Sequence, residues 1–498
     1  MFGILRFLLV TILMLQACRG IRTLPANYTL SQQKGRPQII AIFMDGTRDK
    51  LHTAARRNTN VLKAYFLADT NSKKLYVEGV GAGNRVKDGM YARTTNERVM
   101  RAYRFLAENY TPADSICLFG FSRGANQCRI LSGIIYTIGI IDLKQVKEES
   151  EKRTLLLELY SLYISTPAAI KKKTLATYIN NWTAKHSGQT VSFDTTGKTM
   201  IEVMGLWDTV EALTINDEFE TGTPVPHHLN QLFNVKKIFH ALALDDNRAF
   251  NYTPLLTTHK EMGIGPAQHM DSIVEEVWFN GSHKDVGGGI RKIKKDQLSS
   301  ISLKWMLSAL KPYHIFRDTI FESPIYGEAN NMRRKWYLRR TSPGDTLRAI
   351  NKYWEWMNPD WNNHRIMLHQ SVIDRLDSGI VQAFKFKSRK DGTARADWYE
   401  WEPFKHCFKK DTVNGKERIR FRKDTICPCI KIVNDKVEKD KTLTGENRNP
   451  KKIKYFSKSK NWSKTASFIQ SSFSTPFYSG RFNEAPRKSP HWYRSNTT

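Results

Sequence analysis

The sequence is poor in cysteine, short of acidic residues and without an apolar run at its start long enough to cross a bilayer. Six cysteines in 498 residues exclude a small disulfide-built scaffold, which is far denser in that residue. Only 48 Asp and Glu oppose 78 Lys and Arg, leaving a formal charge of +30. Such an excess favours an anionic partner, nucleic acid or an acidic membrane surface, and says nothing about fold. About half of it lies in residues 381–498. The apolar stretch Phe7 to Leu15 falls well short of the roughly 20 residues of a membrane-spanning helix. What is present, 40% hydrophobic residues and 12 Trp, is enough to bury a large core.

The short apolar start follows a basic Met1 to Arg6 and runs into Leu15-Gln16-Ala17-Cys18. This reads as a signal peptide over residues 1–18 that ends in a bacterial lipobox. Cys18 would then be the lipidated first residue of an exported, membrane-anchored protein, with Arg19 favouring the outer membrane; an ordinary secretory signal is the alternative. Of the other cysteines, Cys117 and Cys128 read as small buried residues. Cys427-Pro428-Cys429 lacks the further ligands of a zinc site. Export would permit a disulfide from Cys407 to Cys427 or Cys429. No cofactor or metal is expected.

Residues 19–36 read as a polar tether. From there, apolar runs alternate with helical periodicity. Strands are expected at Gln38–Met44, Leu75–Val80, Ser115–Phe119, Met200–Trp207 and Val274–Phe279, the last convincing one. Helices are expected at Asn60–Leu67, Glu97–Tyr110, Ala125–Tyr136 and about Val235–Leu244, with a helical insertion over about 143–198 that includes Leu155–Tyr163 and Ile170–Trp182. The alternation predicts an α/β fold, an α/β-hydrolase-like, doubly wound and mainly parallel sheet.

The strand Ser115–Phe119 leads into Gly120-Phe121-Ser122-Arg123-Gly124, a G-x-S-x-G nucleophile elbow at a strand-to-helix turn. Asp208 follows the strand ending at Trp207, and His283 follows the strand ending at Phe279. The chain order Ser, Asp, His is that of α/β-hydrolases. The chemistry needs each member. A serine hydroxyl is a weak nucleophile until an imidazole takes its proton, and a buried carboxylate fixes the imidazole tautomer. Backbone N–H groups must meet the oxyanion, here from Arg123 and from the Asp45-Gly46-Thr47 loop, with Gly46 as the near approach. Asp245 and Asp246 are rival acids, and His259 and His269 rival bases. Asp285 reads as a residue that holds its own loop, and Gly287-Gly288-Gly289 as a turn.

The series IIAIFMDGT, RRNTNV, YVEGVGAG, GFSRGAN, LWDTV, HALALDDNR, VWFNGSHKDVGGG and LKWML resembles the catalytic domain of type VI secretion phospholipase effectors over roughly residues 37–310. A weaker echo at Leu368 to Arg375 extends the catalytic domain to about residue 380. The resemblance implies hydrolysis of lipid esters, of phospholipase A type, with Ser122 as nucleophile, Asp208 as acid and His283 as base. A lipobox export route differs from the cytoplasmic loading of such effectors.

Residues 381–498 are basic and aromatic, with Trp398, Trp401 and Trp462 among lysines and arginines. That mixture suits an anionic lipid surface or single-stranded nucleic acid, and export favours lipid over nucleic acid. Two functions follow. One is a membrane-bound serine esterase acting on phospholipid; the other is a lipoprotein with a silent hydrolase fold that binds or supports the envelope.

Overall fold

Runs such as Ile39–Met44 and Ser115–Phe121 are apolar on both sides of the pleat, so they rest only where helices cover both faces of a sheet. The computed structural model describes residues 23–24, 38–52, 57–69, 72–80, 82, 93–165, 199–210, 234–246, 274–290, 298–317, 365–379, 398–400, 404–422, 427 and 429–435, with isolated helical residues 177, 181 and 184. Cys18, His259, His269 and nearly all of Ile170–Trp182 lie outside the described residues.

Nine strands form one sheet: β1 (Thr23–Leu24), β2 (Ile39–Met44), β3 (Lys73–Val77), β4 (Ser115–Phe121), β5 (Ile201–Trp207), β6 (Ile238–Ala243), β7 (Val274–Phe279), β8 (Ile366–His369) and, after a separate antiparallel hairpin of β9 (Phe408–Val413) and β10 (Lys416–Phe421), β11 (Ile430–Val433). Their order is β1-β3-β2-β4-β5-β6-β7-β8-β11. Every pairing is parallel except that of β1 with β3.

The helices are α1 (Asn60–Leu67), α2 (Arg93–Asn109), α3 (Arg123–Ile138), α4 (Glu149–Ser165), a single short turn α5 (His283–Gly287), α6 (Ser299–Ala309) and α7 (Gln370–Asp377). Alternate residues of each strand feed opposite layers. Ile40, Ile42 and Met44 join Leu106, Leu131, Ile135 and Leu159 of α2, α3 and α4 on one face. Ala41, Phe43 and Phe119 meet Leu62 and Tyr65 of α1 and Trp305 of α6 on the other. A third cluster packs Leu242, Trp278 and Leu368 against Val372 of α7, Phe408 and Ile419 of the hairpin, and Phe404 in the turn before it.

Three expectations change. Val235–Leu244 is not a helix: its centre is β6, with all six residues buried. Val274–Phe279 does not end the sheet, because β8 and β11 continue it. Finally, β11 belongs to the basic segment beyond residue 380 yet pairs in parallel with β8, from Ile430 opposite Ile366 to Val433 opposite His369. The sheet therefore runs across that boundary. Within the expected tether, Thr23 and Leu24 pair with Val77 and Tyr76 at the opposite edge.

Candidate active site

Parallel strands place their carboxyl ends on one side of the sheet, and loops from neighbouring strands meet there. β4 and β5 are adjacent, with Phe121 opposite Trp207, so Ser122 and Asp208 leave the sheet side by side. The Ser122 N–H donates to the Trp207 carbonyl at 3.0 Å, and the Val210 N–H donates to the Ser122 carbonyl at 3.3 Å. Ser122 has φ 57° and ψ −126°, strained for a residue with a Cβ. It precedes α3 but makes no side-chain capping bond to it. The elbow is crowded: a Cβ on Gly124 would stand 2.0 Å from the Met44 carbonyl oxygen. Only glycine lets the start of α3 lie against β2 so closely.

Asp208 also has positive φ, 43°, and is fully buried. Its Oδ2 lies 2.6 Å from His283 Nδ1, and its Oδ1 accepts the Ala243 N–H at 2.9 Å. A carboxylate oxygen at that distance makes Nδ1 the protonated nitrogen of the neutral ring, leaving Nε2 as acceptor. His283 is held from three sides. Its N–H donates to Asp246 Oδ2 at 3.0 Å, its ring lies against Phe121 at 4.6 Å between centroids, tilted by 31°, and it opens α5. That turn begins with a capping box in which Asp285 Oδ2 accepts the Ser282 N–H and hydroxyl, both at 2.9 Å. Asp285 thus holds its own loop, as expected from its position.

Of the rival acids, Asp245 accepts the Gly281 N–H at 2.6 Å and Asp246 holds the histidine backbone. The acid at the imidazole is Asp208. Ligand atoms of Asp208, Asp246 and His283 converge within 4.8 Å of one another. The hydrogen bonds above already pair both Asp208 oxygens, so the cluster is a hydrogen-bonded relay. Cys407, Cys427 and Cys429 also converge, but Cys407 and Cys427 are joined as a disulfide.

Gly46 requires a correction. Its N–H donates to Asp45 Oδ1 at 2.8 Å, so it is not a free oxyanion donor. Its contribution is steric. A Cβ there would meet Phe121 Cδ1 at 2.9 Å and Ser122 Cβ at 3.0 Å, and without one the loop closes over the nucleophile. The following N–H, that of Thr47, has no acceptor among the described residues. Arg123 occupies the first position of α3, where a helical N–H has no partner within the helix.

The structure adds residues that the sequence did not single out. His240, fully buried in β6, sits between Glu276 and Thr209: Nδ1 is 2.8 Å from Glu276 Oε1 and Nε2 is 3.0 Å from Thr209 Oγ1. This second relay anchors the residue after Asp208. Asn60 donates from Nδ2 to the carbonyls of Val286 and Ser299, both at 2.8 Å, tying α1 to α5 and α6. The runs RRNTNV and HALALDDNR contain these residues, but only the fold reveals their partners.

The family model for the catalytic domain of Tle1-like phospholipase effectors of the type VI secretion system matches residues 38–309, more than half of the chain. The protein belongs to this family. The sequence resemblance is thereby shown, and the matched span holds Ser122, Asp208 and His283. An uncharacterized protein of Saccharomyces cerevisiae, YEL023C, is 29% identical over 123 residues, covering 20% of this chain and 18% of that one. This chain thus spans less than a fifth of the length of that relative. Among solved structures, an uncharacterized Pseudomonas aeruginosa protein aligns at 16% identity and TM-score 0.35, covering 58% of this chain and 47% of that one. A Tle1 effector bound to the VgrG spike aligns at 19% and 0.24, covering 51% of each chain. Esterase 2 of Thermogutta terrifontis, with bound propionate, aligns at 11% and 0.31, covering 61% and 98%.

Proposed function

We propose that this Tle1-like chain is a serine hydrolase of lipid carboxylic esters, of phospholipase A type, working at an anionic membrane surface. The observation that carries the reading is the 2.6 Å contact of Asp208 Oδ2 with His283 Nδ1, at the mouth of the strand next to the Ser122 elbow. Family membership supports the lipid ester as substrate.

In this mechanism Ser122 Oγ attacks the ester carbonyl while His283 Nε2 takes its proton. The Asp208 carboxylate stabilises the imidazolium and holds the ring in place. The N–H groups of Arg123 and Thr47 receive the oxyanion, each contributing roughly 3 to 4 kcal/mol to the transition state. The tetrahedral intermediate collapses as His283 returns the proton to the departing alcohol. Water, activated by the same imidazole, then frees the acyl group.

The test is labelling of the full chain with a fluorophosphonate probe, beside turnover of a fluorogenic phospholipid. Wild type should do both. Ser122→Ala should lose labelling, and Ser122→Ala and His283→Ala should each lose turnover by at least about a thousandfold, because members of a triad act as a unit. Equal turnover by wild type and Ser122→Ala would remove Ser122 from the reaction.

Placement at the membrane is a second part of the proposal. The apolar run ending in Leu15-Gln16-Ala17-Cys18 supports export and lipidation at Cys18, and the net charge of +30 supports attraction to acidic lipid. Cys18→Ala should shift the protein from the membrane to the soluble fraction and remove the acyl mass. An unchanged distribution and mass would overturn lipidation alone, leaving the hydrolase reading intact.

A further inference from the structure

Three cysteines meet at the last edge of the sheet, and none of them takes part in the mechanism above. Cys407 closes the turn Phe404–Cys407 just before β9, while Cys427 and Cys429 lie on the approach to β11. Their sulfurs all lie within 4.8 Å of one another. Cys407 and Cys427 are bridged, with Cα atoms 5.5 Å apart, and the Cys429 sulfur stands 3.5 Å from each of theirs. The third sulfur therefore closes a triangle and does not merely flank one end of the bridge. Backbone pairing fixes two of the corners. The Cys429 carbonyl accepts the Ile366 N–H of β8, and the Cys407 carbonyl accepts the Arg422 N–H just past β10, both at 2.9 Å. Cys407 and Cys429 are buried, whereas Cys427 is half-buried and gives a small solute a way in.

A disulfide needs two sulfurs, and a third set equally near both suits a different chemistry. Thiolates are soft ligands that gather around soft cations. At about 2.3 Å from sulfur to zinc, the sulfurs of a tetrahedral site stand about 3.8 Å apart. The 3.5 Å separations of Cys429 are already close to that spacing. Once the bridge is open, Cys407 and Cys427 reach it by side-chain rotation alone, because their Cα atoms are only 5.5 Å apart. In the sequence Cys427-Pro428-Cys429 stands without further ligands; the fold brings Cys407 to it. Of the other described cysteines, Cys117 and Cys128 are buried on opposite faces of the sheet, so they offer no rival cluster.

We propose that, with the bridge reduced, Cys407, Cys427 and Cys429 form a trithiolate site for one soft cation such as Zn(II). The bound ion then fastens the β9–β10 hairpin to β11 in place of the disulfide. A phosphine reductant opens the bridge: with one water it becomes the phosphine oxide, and the two electrons and two protons delivered turn the disulfide into two thiols. Three thiols next lose their protons to solvent as three sulfur–metal bonds form. Three thiolates satisfy a trigonal ion, or leave a tetrahedral one a single further position for water. Because the triangle exists only in the folded chain, the ion stabilises that chain by mass action.

The experiment uses the full chain, reduced with a phosphine in metal-free buffer, and Cd(II) as the probe, since cadmium–thiolate bonds absorb in the ultraviolet. The band should saturate at one Cd(II) per chain with the intensity of three thiolates, and the oxidised chain should not show it. Cys429→Ser should bind more weakly by at least roughly 10- to 100-fold, because losing a ligand costs no less than losing the outer-shell partner of one. No band in the reduced chain, the same band in the oxidised chain, or an undiminished affinity in Cys429→Ser would each overturn the trithiolate site.

A second measurement needs no variant. Cd(II) should raise the urea midpoint of the reduced wild-type chain, as expected of an ion held by the folded arrangement. A midpoint that Cd(II) lowers or leaves in place would mean that the thiols take the ion no better in the folded chain than in the unfolded one, and would overturn the site.

Discussion

Asp45 is buried beneath the loop that faces the nucleophile and accepts three hydrogen bonds, from the Gly46 N–H at 2.8 Å, the Thr59 hydroxyl at 2.8 Å and the Tyr76 hydroxyl at 2.7 Å. Burial, with a smaller contribution from the negative charge of Asp49, raises its pKa from 3.8 to about 7; the bonds from Tyr76 and Gly46 and the charge of Lys284 oppose the shift. Tyr76 is in turn pushed well above its ordinary value by burial and by Asp45, so it remains a donor. The sign follows from proton linkage. Between about pH 4 and pH 7 the folded chain holds a proton on Asp45 that the unfolded chain has released. The stability this provides is complete below the unfolded pKa and is lost as pH rises through about 7. Asp45→Asn cannot ionise. In urea unfolding from pH 4 to pH 8, wild type should therefore lose stability relative to Asp45→Asn as pH rises, most steeply below 7. Parallel pH profiles would show that Asp45 does not titrate in this window. Asp49 and Lys284 face the same group, so each profile is compared with that of the variant and not with a calculated curve.

At the level of elements, the parts of the site that were legible in the sequence are those built from local signals. The elbow was readable because a buried strand, a serine between glycines and a helix occur in succession. Asp208 and His283 were readable because each directly follows an apolar strand. β6 was not. Ile238 to Ala243 are all buried, and a strand covered on both faces loses the alternation that separates strand from helix. That also hides His240, whose partners are Glu276 of the neighbouring β7 and Thr209 in the loop just past β5. The sequence marks the Asp45-Gly46-Thr47 loop as a source of oxyanion donors but not which N–H is available, because the bond from Gly46 N–H to the Asp45 carboxylate depends on a side-chain rotamer that no pattern encodes. β8 and β11 were missed for a third reason. They are only four residues long and pair across a large sequence separation, so neither length nor spacing marks them.

At the scale of the whole molecule, β11 makes part of the basic C-terminal segment an edge of the catalytic sheet. Asp435, just past β11, forms an ion pair with Lys304 of α6 at 2.9 Å and lies 3.3 Å from His369 Nε2 at the end of β8, which reinforces the strand pairing and ties it to α6. The disulfide from Cys407 to Cys427 closes a loop with sequence separation 20. It connects the turn before β9 to the approach of β11, so the hairpin and the edge strand are held together. Cys429 is a buried thiol outside the bridge, with its sulfur 3.5 Å from both bridged sulfurs. It can replace Cys427 as the partner of Cys407, but no rearrangement replaces Cys407 as the long-range end of the bridge. Cys407→Ser should therefore lower the unfolding free energy by about 3 kcal/mol, as expected for a loop of this size, while Cys427→Ser should lose less because Cys429 can re-pair. Urea unfolding of the three proteins, with and without dithiothreitol, checks both statements. Reductant should bring wild type down to the level of Cys407→Ser and leave that variant nearly unchanged. If reductant leaves the wild-type midpoint where it was, the bridge does not stabilise this edge, and β11 is held by its pairing with β8 and by Asp435 alone.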